Sequence, residues 1–268
     1  MNGRIGTTRW RWGLVAGLAL AAALAPARTA FPAGPGPAEG AAAVVRGNPD
    51  APVGGVRRNH TSVSPAQLHP LNATDLYANQ VLERVYESLA ETDVETLAHV
   101  PLLARSWEIG ADKLTYTFHL HPDARWQDGR PVTAEDVAFS FRVLNDPRLK
   151  TRVKWQSYYS NVASAEAVNA RTVRFTMHRD HFRNFVNVAG LRIVPKHGFP
   201  DPDPNETPLA REPSGSGPYR FVRWKKGNSV LLRKDPAYWA QGLPQNRGRY
   251  NQELLLTKII AQDKVALE

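Results

Sequence analysis

The sequence predicts a mixed α/β fold. Leu114, Tyr116, Phe118 and Leu120 recur at every second position, as on a strand with one buried face, whereas Val137, Phe141 and Leu144 recur at helical spacing. Composition agrees: 42% of the 268 residues are hydrophobic and 22% charged, as in globular proteins.

The first segment carries Arg4, Arg9 and Arg11 without an acidic residue, then an apolar run Gly13–Leu24 and the small-residue end Ala25-Pro26-Ala27. This is the layout of a cleavable secretory signal peptide over residues 1–27. The run is shorter than the roughly 20 residues that cross a bilayer. Its removal lowers the net charge from +9 to +6. Residues 28–55 are rich in Ala, Gly and Pro and short of bulky apolar side chains, so a flexible leader is expected, with order beginning near Val56.

Ala78, Val81, Leu82, Val85 and Leu89 share one helical face, which predicts a helix over Thr74–Leu89 capped by Thr74. The alternating strand through Leu120 leads to a turn at Asp128-Gly129. Thr133 stands three residues before Asp136, the spacing of a capping box, so a helix starts there and Pro147 ends it. Val173, Phe175 and Met177 form another strand, Phe182–Leu191 a short helix or turn, and Pro200–Pro213 a polar loop. Tyr219–Trp224 and Ser229–Arg233 flank Lys226-Gly227-Asn228 as a β-hairpin, and Leu254–Ile260 reads as a buried strand. Asp263 has the look of a cap opening a helix that runs only to Glu268, so an incomplete reading of a longer protein is expected.

The absence of cysteine excludes thiolate catalysis, cysteine zinc sites, disulfides and a thiol-linked lipid anchor. Basic runs such as Arg57-Arg58 and Lys225-Lys226 are short and interleaved with acids, unlike a nucleic-acid stripe. His119 and His121 share a strand face without an obvious third ligand nearby, and His178 with His181 would share a helix face at i, i+3; no metal or other cofactor is expected. Asp128, Glu135 and Asp136 are the carboxylates an exported hydrolase would use. Capping explains Glu135 and Asp136 better, since adjacent side chains in a first helical turn diverge. Ser214-Gly215-Ser216-Gly217 precedes Pro218 and a strand, whereas a phosphate cradle precedes a helix.

Five segments carry a resemblance: Leu68-His-Pro-Leu-Asn72, Val100-Pro-Leu-Leu-Ala-Arg-Ser-Trp107, Tyr116-Thr-Phe-His-Leu120, Trp126-Gln-Asp-Gly-Arg-Pro-Val-Thr-Ala-Glu-Asp-Val137 with Phe139-Ser140, and Gly215-Ser-Gly-Pro-Tyr219 through Tyr238-Trp239. Together, over Ser64–Glu268, they resemble the family 5 solute-binding proteins of bacterial ABC importers, the group of oligopeptide-, dipeptide- and nickel-binding proteins. The resemblance implies the first lobe of a two-lobed periplasmic fold over residues 56–256, with residues 257–268 opening the hinge crossing. It implies a monomeric, non-catalytic carrier that binds a solute, a peptide by preference, and delivers it to a permease and its ATPase. Trp126, Asp128, Gly129, Thr133, Asp136, Gly215, Gly217, Pro218 and Tyr219 are then scaffold. Leu71–Tyr77 is the expected cleft wall, with Asn72, Thr74, Asp75 and Tyr77 as candidate ligand contacts; the same residues also suit capping of the following helix. An exported hydrolase or a nonfunctional remnant are the competing readings.

Overall fold

The alternating and helical segments build three sheets and four α-helices in the computed structural model, which describes residues 47–93 and 96–260, with Arg152 and Val153 as backbone only. The signal segment, residues 28–46 of the leader and the Asp263 helix start lie outside the described residues. Among the described residues no helix is long and apolar enough to cross a membrane.

The central sheet takes the order β4 (Ala104–Ile109), β5 (Thr115–Leu120), β7 (Thr172–Met177), β6 (Val162–Asn169), all antiparallel. On β5 the buried side chains are Tyr116, Phe118 and Leu120, the alternation read from sequence. Phe118 meets Phe175 of β7 edge-on at 5.9 Å between ring centroids, and Phe175 meets Phe141 at 6.1 Å. Each such aromatic pair adds about 1 kcal/mol beyond its buried area.

Phe141 belongs to α2 (Ala134–Leu144), which buries Val137, Phe141 and Leu144. The helix closes at Asn145, two residues ahead of Pro147, and the Asn145 side chain donates to the Phe141 carbonyl at 2.9 Å. Proline thus acts one step early, by disfavouring helical backbone in the residue before it.

The second four-stranded sheet takes the order β1 (Val56–Thr61), β10 (Leu254–Ile259), β9 (Ser229–Lys234), β8 (Tyr219–Lys225), with β1 parallel to β10 and the others antiparallel. The hairpin β8–β9 turns at Gly227, whose φ of +71° suits glycine. Strand β10 forms as expected but is only half-buried, and its partner β1 is an exposed strand at the end of the sheet. Chain contacts begin before Val56: Gly54 donates to the Asn251 carbonyl at 2.7 Å, and the Gly55 carbonyl accepts from Glu253 and Leu254. A small sheet of β2 (Ala90–Thr92) and β3 (His99–Pro101) precedes β4; α3 (Arg152–Tyr159) and α4 (Asn184–Ala189) complete the fold.

Helix α1 (Leu76–Val85) is shorter than the periodicity suggests, and its cap is Asp75 where Thr74 was expected. The Asp75 carboxylate accepts from the Ala78 amide at 2.8 Å. At the other end the Val85 carbonyl accepts from Gly217 at 2.8 Å, so a distant loop seals the helix and Leu89 is buried on extended chain.

Candidate functional site

Strand register places Arg57 of β1 beside Leu255 of β10, and Leu255 beside Leu232 of β9; two residues along, Asn59 stands beside Thr257 and Thr257 beside Val230. Residues two apart on a strand share a face, so these six form one surface. Among the described residues helix α1 packs chiefly on the β8 side of this face. A hollow of about 630 Å³ results, walled on the helix side by Tyr77, Gln80, Val81 and Arg84. Tyr219 closes its end, donating to the Gln252 carbonyl at 3.1 Å. Burial pushes the Tyr219 phenol up, and Arg84 and Arg57 oppose that shift.

A second hollow of about 410 Å³ lies on the other side of α1 and shares Arg84, Arg249 and Tyr250 with the first. Arg249 is held by Glu91 at 3.0 Å and stacks over the Tyr250 ring. Arg192 donates to the Pro70 carbonyl at 2.8 Å and the Asn79 side chain at 3.0 Å. Burial lowers its pKa, with Glu83 the first of the groups opposing that effect. Beneath lies Glu87, a buried carboxyl that accepts from Tyr238 at 2.5 Å and from the Trp239 indole at 2.9 Å. Desolvation raises its pKa to about 7 despite those donors.

The segment Leu71–Tyr77 has one end on each hollow: Leu71 lines the second and Tyr77 the first. Asn72 is buried, donating to Asn205 at 3.0 Å and accepting from Thr151 at 2.9 Å. Thr74 is exposed, its carbonyl accepting from Lys154 at 3.1 Å, and Asp75 is the helix cap. Of the four candidates, Tyr77 alone reaches a described hollow.

The scaffold residues meet in two places. Asp128 and Gly129 form the expected turn, with Gly129 at φ +89°, and Asp128 pairs with His197 at 2.7 Å. Thr133 and Asp136 form the capping box: Asp136 Oδ2 accepts from the Thr133 amide at 2.9 Å, while Thr133 Oγ1 accepts from the Asp136 amide at 3.3 Å. Trp126 is buried in the core. Gly215, Gly217, Pro218 and Tyr219 form the strap that seals α1. A Cβ on Gly215 would stand 2.2 Å from the Val85 carbonyl oxygen, and one on Gly217 2.7 Å from that of Arg84, so only glycine permits this approach. Gln127, overlooked in sequence, pins the strap: its side chain donates to the Gly217 and Tyr219 carbonyls at 3.0 and 2.9 Å and accepts from Gly215 at 3.3 Å.

The histidine pairs and the carboxylates are engaged singly. His119 contacts Glu108 and Thr172, and His121 packs on the Trp239 ring. His181 accepts from the Arg183 amide, so its Nδ1 lone pair is taken. Among the described residues no three His, Asp or Glu side chains are grouped to hold a metal. Glu135 is bound by Arg142 at 2.7 Å and Lys196 at 3.1 Å, which hold its carboxyl below the usual range. Sequence reasoning missed Arg84 and Glu87 on the hollows; the Arg57-Arg58 run was visible but read as solvated surface.

The geometry has counterparts among known proteins. A probable peptide-binding protein YejA of Agrobacterium fabrum is 35% identical over 231 residues, covering 82% of this chain and 36% of that protein. The oligopeptide-binding protein AppA of Bacillus subtilis, solved with a nonapeptide, superposes at a TM-score of 0.70 with 26% identity, over 80% of this chain and 42% of its own. DppA of Helicobacter pylori, a periplasmic binding protein solved with the peptide STSA, also reaches 0.70 at 25% identity, over 81% and 44%. The chain thus spans less than half the length of each. Its mixed α/β architecture is that of one lobe of the bilobed periplasmic binding fold. The family profile described as bacterial extracellular solute-binding proteins, family 5 Middle, matches residues 98–264, and this chain belongs to that family.

Proposed function

We propose that the protein is the substrate-binding component of an ABC importer, exported through a signal peptide cleaved after Ala27, that takes a peptide into a cleft and hands it to a permease and its ATPase. The observation that carries this reading is the superposition, at a TM-score of 0.70, on two binding proteins solved with peptides. Residues 56–256 act as the first lobe and 257–268 enter the hinge crossing, in a monomeric carrier. Ligand binding favours the closed arrangement of two lobes that a transporter recognises.

Leu71–Tyr77 forms one wall of the cleft. Within it, Asn72 and Asp75 hold the wall in shape, whereas the exposed Thr74 side chain and Tyr77 are left to meet solute.

A ligand that binds only the folded protein stabilises it by about 2.7 kcal/mol at a hundredfold excess over Kd. A tryptic peptide pool is expected to raise Tm, and mass spectrometry of the retained fraction identifies the peptides bound. A rise with nickel or a sugar, and none with peptides, would overturn the peptide assignment.

A further inference from the structure

We propose that the face built by α3 and the entry to α4 is a membrane-contact surface: Phe182, Val186 and Tyr158 enter the headgroup layer of a bilayer, and Arg179 and Arg183 hold its anionic phospholipids. This role does not depend on which solute the protein carries.

Large apolar side chains scattered singly over a surface need no explanation. These three are gathered. Phe182 and Val186 stand four positions apart at the entry to α4, the spacing of one helical face, and are 83% and 46% exposed. Phe185, between them, packs inward against Trp107 and Phe118 at 5.2 and 5.8 Å between ring centroids. The helix therefore has its core-facing side already, and Phe182 and Val186 occupy another. Tyr158 is exposed on α3, which contacts α4. The Asn187 side chain donates to the Tyr158 carbonyl at 2.7 Å, and those of Asn161 and Asn184 donate to the Arg179 carbonyl at 2.8 and 2.9 Å. These bonds tie the two short elements into one surface.

The charge on that surface has one sign. Lys154, Arg179 and Arg183 are exposed. Arg183 lies over the Phe182 ring at 5.7 Å, and Lys154 over Trp155 at 5.5 Å, with Tyr158 beside that indole. From Lys150 to Asn161 the sequence has no acid, and from His178 to Gly190 its one acid, Asp180, pairs with Lys113 at 3.9 Å. An anionic partner complements such a face, whereas a second copy of it would be repelled. A fluid layer accepts a protruding phenyl ring without the matching pocket that a folded partner would have to supply. Aromatic rings beside cations suit the bilayer interface, and cations near an anionic leaflet add attraction. The simpler role for Arg183 and His181 is to cover the Phe182 ring, on which both pack. That cover leaves most of the ring in water and accounts for neither Val186 nor Tyr158.

The chain has no cysteine, so V186C carries a polarity-sensitive fluorophore on this face with Phe182 intact. V222C carries it on β8 beside Arg223, a second exposed and basic place. With phosphatidylcholine vesicles containing phosphatidylglycerol, the full chain labelled at V186C is expected to shift blue and to be quenched by lipid-borne nitroxide, while V222C stays unmoved. Phosphatidylcholine alone should bind at least tenfold more weakly, and added salt should weaken binding further. R179Q/R183Q should also cost at least tenfold while leaving the apolar N-terminal segment unchanged, and F182S roughly tenfold. No shift at V186C, a shift at V222C in its place, equal response to both lipids, or unchanged binding in R179Q/R183Q would each overturn the assignment. A blue shift that grows with protein concentration without vesicles would make the face a contact between copies. Polyglutamate matching the anionic vesicles would make it a site for acidic polypeptide. Either result overturns the lipid assignment.

Discussion

Glu87 is the residue on which folding energy and pH are most tightly joined. Its carboxyl is buried under Tyr238 and Trp239, and desolvation raises its pKa to about 7 from an ordinary value of 4.5. For an acid with a raised folded pKa, the native state binds the extra proton between those values. Stability contributed by this group is therefore full below pH 4.5 and declines as pH rises through 7. A shift of this size corresponds to something on the order of 3 kcal/mol. The E87Q variant cannot ionise, so its Tm should fall less than wild type between pH 4.5 and 8; parallel profiles would show that Glu87 keeps an ordinary pKa. Nothing in sequence marks this residue. Tyr86-Glu87-Ser88 reads as the end of an amphipathic helix, and the partners lie about 150 positions away. Asp75 and Thr74 are a nearer case: both suit an N-cap, and only the geometry, a 2.8 Å bond to Ala78, decides between neighbours.

At the scale of elements, what was legible is what is local. Helix α2 announces itself because its cap, acidic first turn and apolar face fall within twelve residues, and the structure keeps all three. Its capping box also does more than cap. Asp136 Oδ1 accepts from the Lys196 amide at 2.9 Å, so the same carboxylate ties the helix start to the chain after α4. Replacing Thr133 with Ala should cost about 1 kcal/mol, the usual worth of a cap. Replacing Asp136 with Ala should cost about 2–3 kcal/mol, because the Thr133 and Lys196 amides both lose their acceptor near the core. Urea unfolding of the two variants measures the difference, and equal losses would mean that the Lys196 bond contributes nothing. Helix α1 fails the local reading for the converse reason. Its apolar period continues to Leu89, but Gly215 and Gly217 close on its last turn. The strap is legible as a string of glycines; what it straps is not. Likewise β1, with five exposed residues in six, has no alternation to read, and its strand character comes from pairing with β10 some two hundred positions later.

Across the whole molecule, the two four-stranded sheets share one core, in which Phe118 and Phe175 of the central sheet belong to the same buried cluster as Tyr219, Val230 and Leu232 of the other. A continuous core of this kind makes the sheets unfold together. Polar bonds reinforce the join at a few points. Gln127 carries most of them, since it follows β5 of the central sheet in sequence yet makes four hydrogen bonds to the strap that opens β8. Truncating it to alanine removes the three side-chain bonds and strands the Gly217 and Tyr219 carbonyls beside the core, at a cost of about 3 kcal/mol. With a urea m-value of about 1–3 kcal/mol per molar, the midpoint should fall by on the order of 1 M. Far-UV circular dichroism follows both sheets, whereas fluorescence is weighted to the tryptophans, among them Trp107 and Trp126 beside the central sheet and Trp224 on β8. In wild type and in the Q127A variant alike, the two signals should trace one curve. The substitution then moves the curve without splitting it, because the apolar contacts still join the sheets after the polar ones are gone. Separation of the signals in the variant alone would assign the coupling to Gln127 in place of the core. Separation in the wild type would make each sheet an independent folding unit.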